Sequence, residues 1–128
     1  MVGIVIVSHS QKLAEGVVEI ASMMANDVPI AAAGGLEDGT VGTSYEKICA
    51  AIESVYSADG VAVLMDMGSA VMTTEMVIED LARDNVKMLD CPLVEGAVLA
   101  AIESAGGRTL AEISKRIEES RAVKKFSE

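Results

Sequence analysis

The chain contains a single histidine, His9, which is separated by Ser8 from a short apolar run at residues 4–7. An imidazole near neutral pH can act as a nucleophile, a base or a metal ligand. A carboxylate that accepts a hydrogen bond from one ring nitrogen fixes the tautomer and makes the other nitrogen more basic. Asp66 follows the apolar run of residues 60–65 and is the candidate for this partner. The pair His9 and Asp66 is therefore the first candidate for chemistry.

Three kinds of chemistry at His9 can be weighed against each other. A metal site is disfavoured, because no second histidine and no nearby cysteine or acidic cluster offers further ligands. Base catalysis lacks a visible second catalytic group. Acceptance of a phosphoryl group needs only the histidine, an orienting carboxylate and donors for the phosphate oxygens. Phosphoryl acceptance is favoured, and a hydrogen-bonded surface histidine without chemistry remains the alternative.

Two predicted helix starts and one loop offer donors to such a phosphate. Ser10 precedes one helix, Gly68 and Ser69 precede another, and a helix N-terminus binds anions through its free N–H groups. The glycine-rich loop of residues 34–44 could close over the same face. It matches neither the P-loop nor the dinucleotide-binding pattern, so a phosphate relay fits better than a nucleotide site. Asp66 and Ser69 could instead be helix N-caps.

The elements that must position these residues alternate along the chain. Short apolar runs predict strands at residues 2–7, 29–33, 60–65 and 86–89. Helical spacing predicts helices at 11–25, from Thr43 or Ser44 to 56, from about 69 to 84, at 93–104 and at 109–121. We expect one α/β domain spanning residues 1–128, with a parallel, doubly wound sheet in the order 2-1-3-4 and helices on both faces.

This topology predicts where the site lies. Ligands of open α/β sheets gather at the carboxyl ends of the strands, where the winding direction reverses. In the order 2-1-3-4 that point lies between strands 1 and 3, whose following loops contain His9 and Asp66. The methionines from Met65 to Met76 are expected mainly in the core, with Met72 and Met76 on the inner face of their helix. Met67 could lie on a binding surface.

The composition limits the classes of partner. The 128 residues carry a net charge of -10, and only 2% are aromatic, which excludes a general phosphate-backbone binder and a base-stacking platform. No run approaches the length of a membrane span. Cys49 and Cys91 are interpreted as small core residues in a reducing, cytoplasmic compartment. Residues 108–128 hold six of the ten basic residues, which indicates a solvated surface helix or one that docks on a partner.

Four segments together resemble a known family. They are VGIVIVSHSQKLAEGV, AAGGLEDGTVGTS, VAVLMDMGSAVMTTEM and CPLVEGAVLAA. In combination they resemble the phosphotransferase subunits of phosphoenolpyruvate-dependent dihydroxyacetone kinases. Those subunits are similar in fold to the IIA domains of the mannose family of the bacterial sugar phosphotransferase system (PTS). The resemblance extends from residue 1 to about residue 120.

The resemblance implies that the protein is a phosphotransferase, a subunit of a phosphoenolpyruvate–glycerone phosphotransferase. It also implies that the protein has no cofactor of its own. The PTS phosphocarrier protein would phosphorylate His9, on the nitrogen Nε2 that points away from the orienting Asp66. The phosphoryl group would pass to ADP, with magnesium, on a nucleotide-binding subunit, and the ATP would phosphorylate dihydroxyacetone on a third subunit. The family is usually a homodimer. The positions around the phosphoryl group would be Ser10, Gly39, Thr40, Thr43, Gly68 and Ser69.

One departure separates the branches of this family. The mannose-type permease domains resemble D-x-x-G-G-S-P after strand 3, whereas this chain has Asp66-Met67-Gly68-Ser69-Ala70. The difference favours the dihydroxyacetone kinase branch, and the IIA component of a mannose-type sugar transporter remains the alternative. A receiver-like regulatory domain is disfavoured, because no acidic pair follows strand 1. A purely structural interaction module would require an inert His9.

Overall fold

The sheet has the predicted topology in the computed structural model, which describes residues 1–126. Its strands are β1 (Gly3–Ser8), β2 (Ile30–Gly34), β3 (Val61–Met65) and β4 (Val86–Met88). They form one four-stranded sheet in the order β2-β1-β3-β4, and every neighbouring pair is parallel. The predicted α/β fold class and strand order are confirmed.

Within residues 1–126, five helices cover the sheet. They are α1 (Gln11–Met24), α2 (Tyr45–Val55), α3 (Val71–Leu81), α4 (Leu93–Ala105) and α5 (Leu110–Ser120), and a 3-10 turn at Gly68–Ala70 leads into α3. Polar side chains cap several starts: Ser10 caps α1, Ser44 rather than Thr43 caps α2, and Thr109 forms a capping box with Glu112 at α5.

The core lies on both faces of the sheet. Every residue of β1 is buried, as its run of β-branched residues without polar alternation predicts. Successive side chains of a strand point to opposite faces, so Ile4 and Ile6 pack with α1, α4 and α5, whereas Val5 and Val7 pack with α2 and α3. With aromatic residues so scarce, aliphatic side chains fill both layers.

The third helix differs from the expectation in two respects. It ends at Leu81 rather than near residue 84, because Ala82 adopts a left-handed conformation with φ of 54°. Met72 and Met76, predicted to face inward, are 76% and 54% exposed. The inner face is formed instead by Thr74 and Val77. A methionine at helical spacing was therefore not enough to locate the buried side of this helix.

The basic C-terminal segment is paired within the chain. Arg116 lies 3.8 Å from Glu103, Arg121 lies 3.7 Å from Asp90, and Lys125 lies 3.1 Å from Glu95. These ion pairs join the segment to α4 and to the loop before it, and the two exposed pairs, Arg121 with Asp90 and Lys125 with Glu95, each contribute little free energy in water. Basic residues of the C-terminal segment thus lie beside acidic residues of α4 and of the loop before it.

Candidate active site

The two central strands bring the candidate residues to one edge of the sheet. Val7 of β1 is paired with Met65 of β3 in the parallel register. The chain continues in step past this pair, since the N–H of Asp66 donates to the carbonyl of Val7 at 3.1 Å. His9 and Asp66 therefore emerge side by side at the carboxyl ends of β1 and β3, where the sequence placed the switch point.

A carboxylate holds the Nδ1 edge of the imidazole ring. The Nδ1 atom of His9 lies 3.1 Å from Oδ1 of Asp66. The other carboxylate oxygen, Oδ2, accepts from the backbone N–H of His9 at 3.1 Å and from the hydroxyl of Ser8 at 2.9 Å. Asp66 therefore accepts hydrogen bonds from both the backbone and the ring of His9. Its side chain is only 11% exposed, compared with 18% for His9.

The hydrogen bonds keep Asp66 ionised. Burial raises the pKa of this carboxyl, but the His9 backbone N–H, the Ser8 hydroxyl and the His9 ring all stabilise the charged form. These contacts outweigh the burial and hold the pKa of Asp66 below its ordinary value of 3.8. At neutral pH Asp66 can only accept hydrogen bonds, so the proton between it and the ring belongs to Nδ1.

The second ring nitrogen is the one available for reaction. Nε2 lies 2.9 Å from the hydroxyl oxygen of Ser69, which is in the 3-10 turn before α3. With the proton on Nδ1, Nε2 carries a lone pair in the neutral ring and accepts the Ser69 hydroxyl proton. The arrangement offers a nucleophilic nitrogen with an adjacent hydroxyl that can donate to an incoming oxygen.

The glycine-rich loop after β2 is fastened to the backbone on either side of the histidine. The N–H of Gly42 donates to the carbonyl of His9 at 2.9 Å, and the N–H of Gly35 donates to the carbonyl of Ser8 at 3.1 Å. Gly34 allows the close approach, since an added Cβ would lie 2.5 Å from the carbonyl oxygen of Ser10. The loop thus positions the histidine through backbone hydrogen bonds.

The other residues predicted around a phosphate are not all at the imidazole. The Ser10 hydroxyl accepts from the N–H of Leu13 at 3.2 Å as a helix cap. The hydroxyl and N–H of Thr40 both donate to Asp38, at 2.6 and 3.0 Å. Ser10 and Gly39 line a groove of about 420 Å³ together with Gln11, Lys12, Glu15 and Val41. Thr43 lies partly buried just before the α2 cap.

The residues predicted in the turn after β3, in contrast, lie at the imidazole. Neither Asp66 nor Ser69 makes the capping bond that was their alternative role, because no side chain caps the 3-10 turn or α3. Gly68 is exposed, and a Cβ there would meet no heavy atom within 4 Å. The structure therefore gathers His9, Asp66 and Ser69 at one point, with Gly68 beside them.

A cleft of about 390 Å³ opens on the β4 side of Asp66. Its lining includes the apolar side chains of Met65, Met67, Val71, Met88 and Leu89, together with Asp66, Gly68, Asp90 and Cys91. Burial, with a smaller contribution from the charge of Asp90, raises the pKa of the Cys91 thiol to about 11. Cys91 is therefore a neutral thiol near pH 7, which fits the interpretation of a partly buried structural cysteine.

Two residues that hold the site were not singled out from the sequence, Ser8 and Gly42. Ser8 precedes the histidine and is fully buried, so its hydroxyl had to find a partner at the end of β1. That a polar residue closes an otherwise apolar central strand was the available signal. Nothing local in the sequence indicates that Gly42, far along the chain, donates to His9.

Comparison with known proteins shows the family of this chain. Residues 3–114 match the family model described as the PTS system fructose IIA component. A phosphoryl donor subunit of a phosphoenolpyruvate-dependent dihydroxyacetone kinase from Listeria innocua is 43% identical over 101 residues, covering 79% of this chain and 80% of the relative. The phosphotransferase subunit of the Lactococcus lactis PTS-dependent dihydroxyacetone kinase is 36% identical, covering 91% and 93%.

Other relatives are longer, and solved structures share the fold. The Escherichia coli phosphoryl donor subunit is 42% identical over 120 residues, but the match covers 88% of this chain and only 25% of the relative. The crystal structure of a protein of unknown function is 30% identical with a TM-score of 0.82, covering 98% of this chain and 97% of that one. The chain belongs to the PTS IIA family matched by its sequence and, within it, to the phosphoryl donor subunits of dihydroxyacetone kinase.

Proposed function

We propose that the protein carries a phosphoryl group on His9, from the PTS phosphocarrier protein to ADP bound on the nucleotide-binding subunit of a dihydroxyacetone kinase. The observation that carries the proposal is the pair of ring contacts: Asp66 holds Nδ1 at 3.1 Å and leaves Nε2 facing Ser69 at 2.9 Å. A ring held in this way has a protonated nitrogen, Nδ1, that orients it and an unprotonated nitrogen, Nε2, whose lone pair can attack phosphorus when the Ser69 hydroxyl donates to a phosphoryl oxygen instead.

Nε2 forms the bond to phosphorus in the first transfer step and gives it up in the second. In the first, the Nε2 lone pair attacks the phosphorus of the donor phosphohistidine, the N–P bond of the donor breaks, and the donor imidazole keeps that electron pair. The positive charge that develops on the His9 ring is stabilised by the Asp66 carboxylate through Nδ1–H. In the second step, an oxygen of the ADP β-phosphate attacks the phosphorus, and the electron pair of the N–P bond returns to Nε2.

Ser69 and the start of α3 fit the needs of the transferred group. Phosphoryl transfer depends on positioning and on donors for the oxygens that carry the charge. The Ser69 hydroxyl is beside Nε2, and the N-terminus of α3 carries no capping side chain. We therefore assign the phosphoryl oxygens to Ser69 and to the N–H groups of the turn at Gly68. Ser10, Gly39, Thr40 and Thr43 are proposed to shape the loop side of the site.

The partners are inferred from the family and from the surface beside the ring. Exposed apolar side chains lie beside the site: Val41 is 76% exposed and lines the groove that contains Ser10, and Met67, next to Asp66, is 54% exposed. Such side chains suit contacts with another protein. No helix within residues 1–126 is long and apolar enough to cross a membrane. We propose a cytoplasmic homodimer that needs no cofactor of its own, with ADP and magnesium supplied on the partner subunit.

The first experiment tests the phosphorylated residue. The protein is incubated with labelled phosphoenolpyruvate, enzyme I and the phosphocarrier protein. The number of phosphates bound per chain is counted from the intact mass, and their loss in acid is checked. We expect one phosphate per chain in the wild type and none in His9→Ala. Because His9 is the only histidine, label that persists in the variant would refute the histidine mechanism.

The second experiment identifies the acceptor. Phosphorylated protein is mixed in parallel with an ADP-loaded nucleotide-binding kinase subunit and with the IIB component of a mannose-type transporter. ATP formation with no transfer to the IIB component is the expected result. The reverse pattern would instead support the sugar-transporter alternative, which uses the same chemistry with a different acceptor.

A further inference from the structure

Ser8 is a fully buried hydroxyl one residue before the reactive histidine, and its two hydrogen-bond partners belong to different elements. Its side chain is 0% exposed. The hydroxyl oxygen lies 3.0 Å from the backbone nitrogen of Ser10, the cap of α1, and 2.9 Å from Oδ2 of Asp66. The hydroxyl thus links the start of a helix to the carboxylate that holds the ring.

The direction of each hydrogen bond follows from the chemistry of the groups. A backbone N–H can only donate, so Ser8 accepts from Ser10 and must direct its own proton elsewhere. Among the described residues, Asp66 is its other partner, and the ionised carboxylate accepts. Oδ2 then receives two donors, the Ser8 hydroxyl and the His9 backbone N–H, and Nδ1 lies closer to Oδ1, at 3.1 Å, than to Oδ2, at 3.4 Å.

We propose that Ser8 is a positioning residue, whose hydroxyl sets the rotation of the Asp66 carboxylate and thereby keeps the neutral His9 proton on Nδ1. The result is a set of hydrogen bonds that converges on Asp66: the Ser10 N–H donates to Ser8, Ser8 donates to Asp66, and the Nδ1–H of His9 donates to Asp66 from the ring side. Its part in phosphoryl transfer rests on the function proposed above, because Nε2 must be the free nitrogen. The effect on the tautomer does not depend on that function.

A purely structural role is the competing explanation. A buried serine that only satisfies the Ser10 N–H would stabilise the fold without affecting the ring. Stability alone cannot distinguish the two roles, since removing any buried hydroxyl with two partners destabilises a protein. The tautomer of His9 does distinguish them, because it changes only if Asp66 loses its orientation. The titratable groups around Asp66 to be followed are His9 itself and, across the neighbouring cleft, Asp90 and Cys91.

The single histidine makes the measurement direct. In uniformly 15N-labelled protein, the imidazole nitrogen signals arise from His9 alone, and their shifts in the neutral ring report which nitrogen carries the proton. We expect the wild type to show the Nδ1–H form and Ser8→Ala to shift toward a mixture with Nε2–H. Ser8→Thr keeps the hydroxyl and should restore the wild-type signals. Phosphorylation of Ser8→Ala should be about tenfold slower or more, as expected when a reactive group is misplaced.

Ser104 provides the matched control. It is also 0% exposed and donates to the carbonyl of Val2 at 2.6 Å, at the other end of the molecule's strands. Ser104→Ala makes the same chemical change in the core and should leave the His9 signals unchanged. If Ser8→Ala does not give a folded amide spectrum, Ser8→Cys is measured instead, because a thiol is a weaker donor of similar size. The same shift of the His9 tautomer toward Nε2–H is then expected in Ser8→Cys.

The outcomes separate this proposal from the proposed function. An unchanged Nδ1–H tautomer in folded Ser8→Ala, or an equal change in Ser104→Ala, would overturn the positioning role, whether or not the wild type accepts phosphate. A wild type that takes up no phosphate would refute the proposed function while leaving the tautomer result intact. A tautomer change in Ser8→Ala that Ser8→Thr reverses supports the positioning role.

Discussion

The Nδ1 atom of His9 lies 3.1 Å from Oδ1 of Asp66, and the backbone N–H of the same histidine donates to the other carboxylate oxygen at 3.1 Å. One side chain therefore orients both the ring and the main chain that carries it. The contact joins positions in the loops after β1 and β3, which meet only because these strands are neighbours in the sheet.

Replacing Asp66 with asparagine should slow phosphoryl transfer and leave the protein folded. Asp66→Asn keeps the shape and can still accept through its oxygen, but it removes the charge that stabilises the imidazolium and allows the wrong tautomer. We expect phosphorylation from the phosphocarrier protein to slow by about 100-fold or more. Rapid-quench labelling measures the rate, and circular dichroism checks the fold. A near-normal rate would show that the charge of Asp66 is dispensable.

The same carboxylate should contribute to stability in a defined pH range. Its pKa is lowered below the ordinary value of 3.8 in the folded protein. As the pH falls below that value, the unfolded chain takes up the proton before the folded one, so the stabilisation is lost progressively. The free energy of unfolding of the wild type, relative to that of Asp66→Asn, should therefore fall from about pH 4 downward and stay level just above it. Urea titrations of both proteins measure this difference, and a flat difference through the acid range would contradict the lowered pKa.

The hydroxyl beside Nε2 should matter for the rate more than for the fold. Ser69→Ala removes the group that lies 2.9 Å from Nε2 and that we assign to a phosphoryl oxygen. Loss of one such donor typically costs about 100-fold in rate. Ser54→Ala is the matched control, because Ser54 is also exposed and its hydroxyl donates to the carbonyl of Ala51 within its own helix, α2, at 2.7 Å. Equal rates for the two variants would remove Ser69 from the mechanism.

A methyl group at the end of β2 should disturb both stability and the site. In Gly34→Ala the new Cβ would lie 2.5 Å from the carbonyl oxygen of Ser10 and 2.8 Å from Cα of Gln11. These are backbone atoms that cannot rotate away, so we expect a loss of about 1–3 kcal/mol in unfolding free energy. Phosphorylation should also slow, because the loop that carries His9 must move.

Gly16→Ala is the control for this change. Gly16 lies in α1, and a Cβ there would meet no heavy atom within 4 Å, so the substitution should gain about 0.5–1 kcal/mol from the higher helix propensity of alanine. Thermal and urea unfolding compare the two variants. A Gly34→Ala variant as stable as the wild type would mean that β2 and α1 are not packed as closely as described.

Much of the site could be predicted from the sequence because its residues follow strand ends. Apolar runs of β-branched residues mark β1 and β3, and the topology of a doubly wound sheet places their carboxyl ends together. That inference needs only the order of the elements, so His9 and Asp66 could be paired without a structure. The cap at Thr109 and the box with Glu112 were also predictable, because both groups lie within one helical turn.

Other features depend on distances between parts of the chain that are remote in sequence. Whether Ser69 caps a helix or faces Nε2 depends on how the turn after β3 is wound, and the structure winds it as a 3-10 turn without a side-chain cap. The hydrogen bond from Gly42 to His9 spans two loops. Met72 and Met76 were misplaced because their apolar character is compatible with either face of a helix, and only the packing of α3 decides which side is buried.

The sequence by itself determined the order of the strands and helices, since that order follows from hydrophobic periodicity, and the topology of this order predicted that the single histidine and Asp66 lie together. The tertiary structure decided the direction of the hydrogen bonds. It showed that Ser8 donates to Asp66, that Asp66 faces Nδ1, and that Nε2 is left beside Ser69. The physical reason is that periodicity specifies which face a residue occupies, whereas a hydrogen bond depends on atomic positions set by the packing of separate elements.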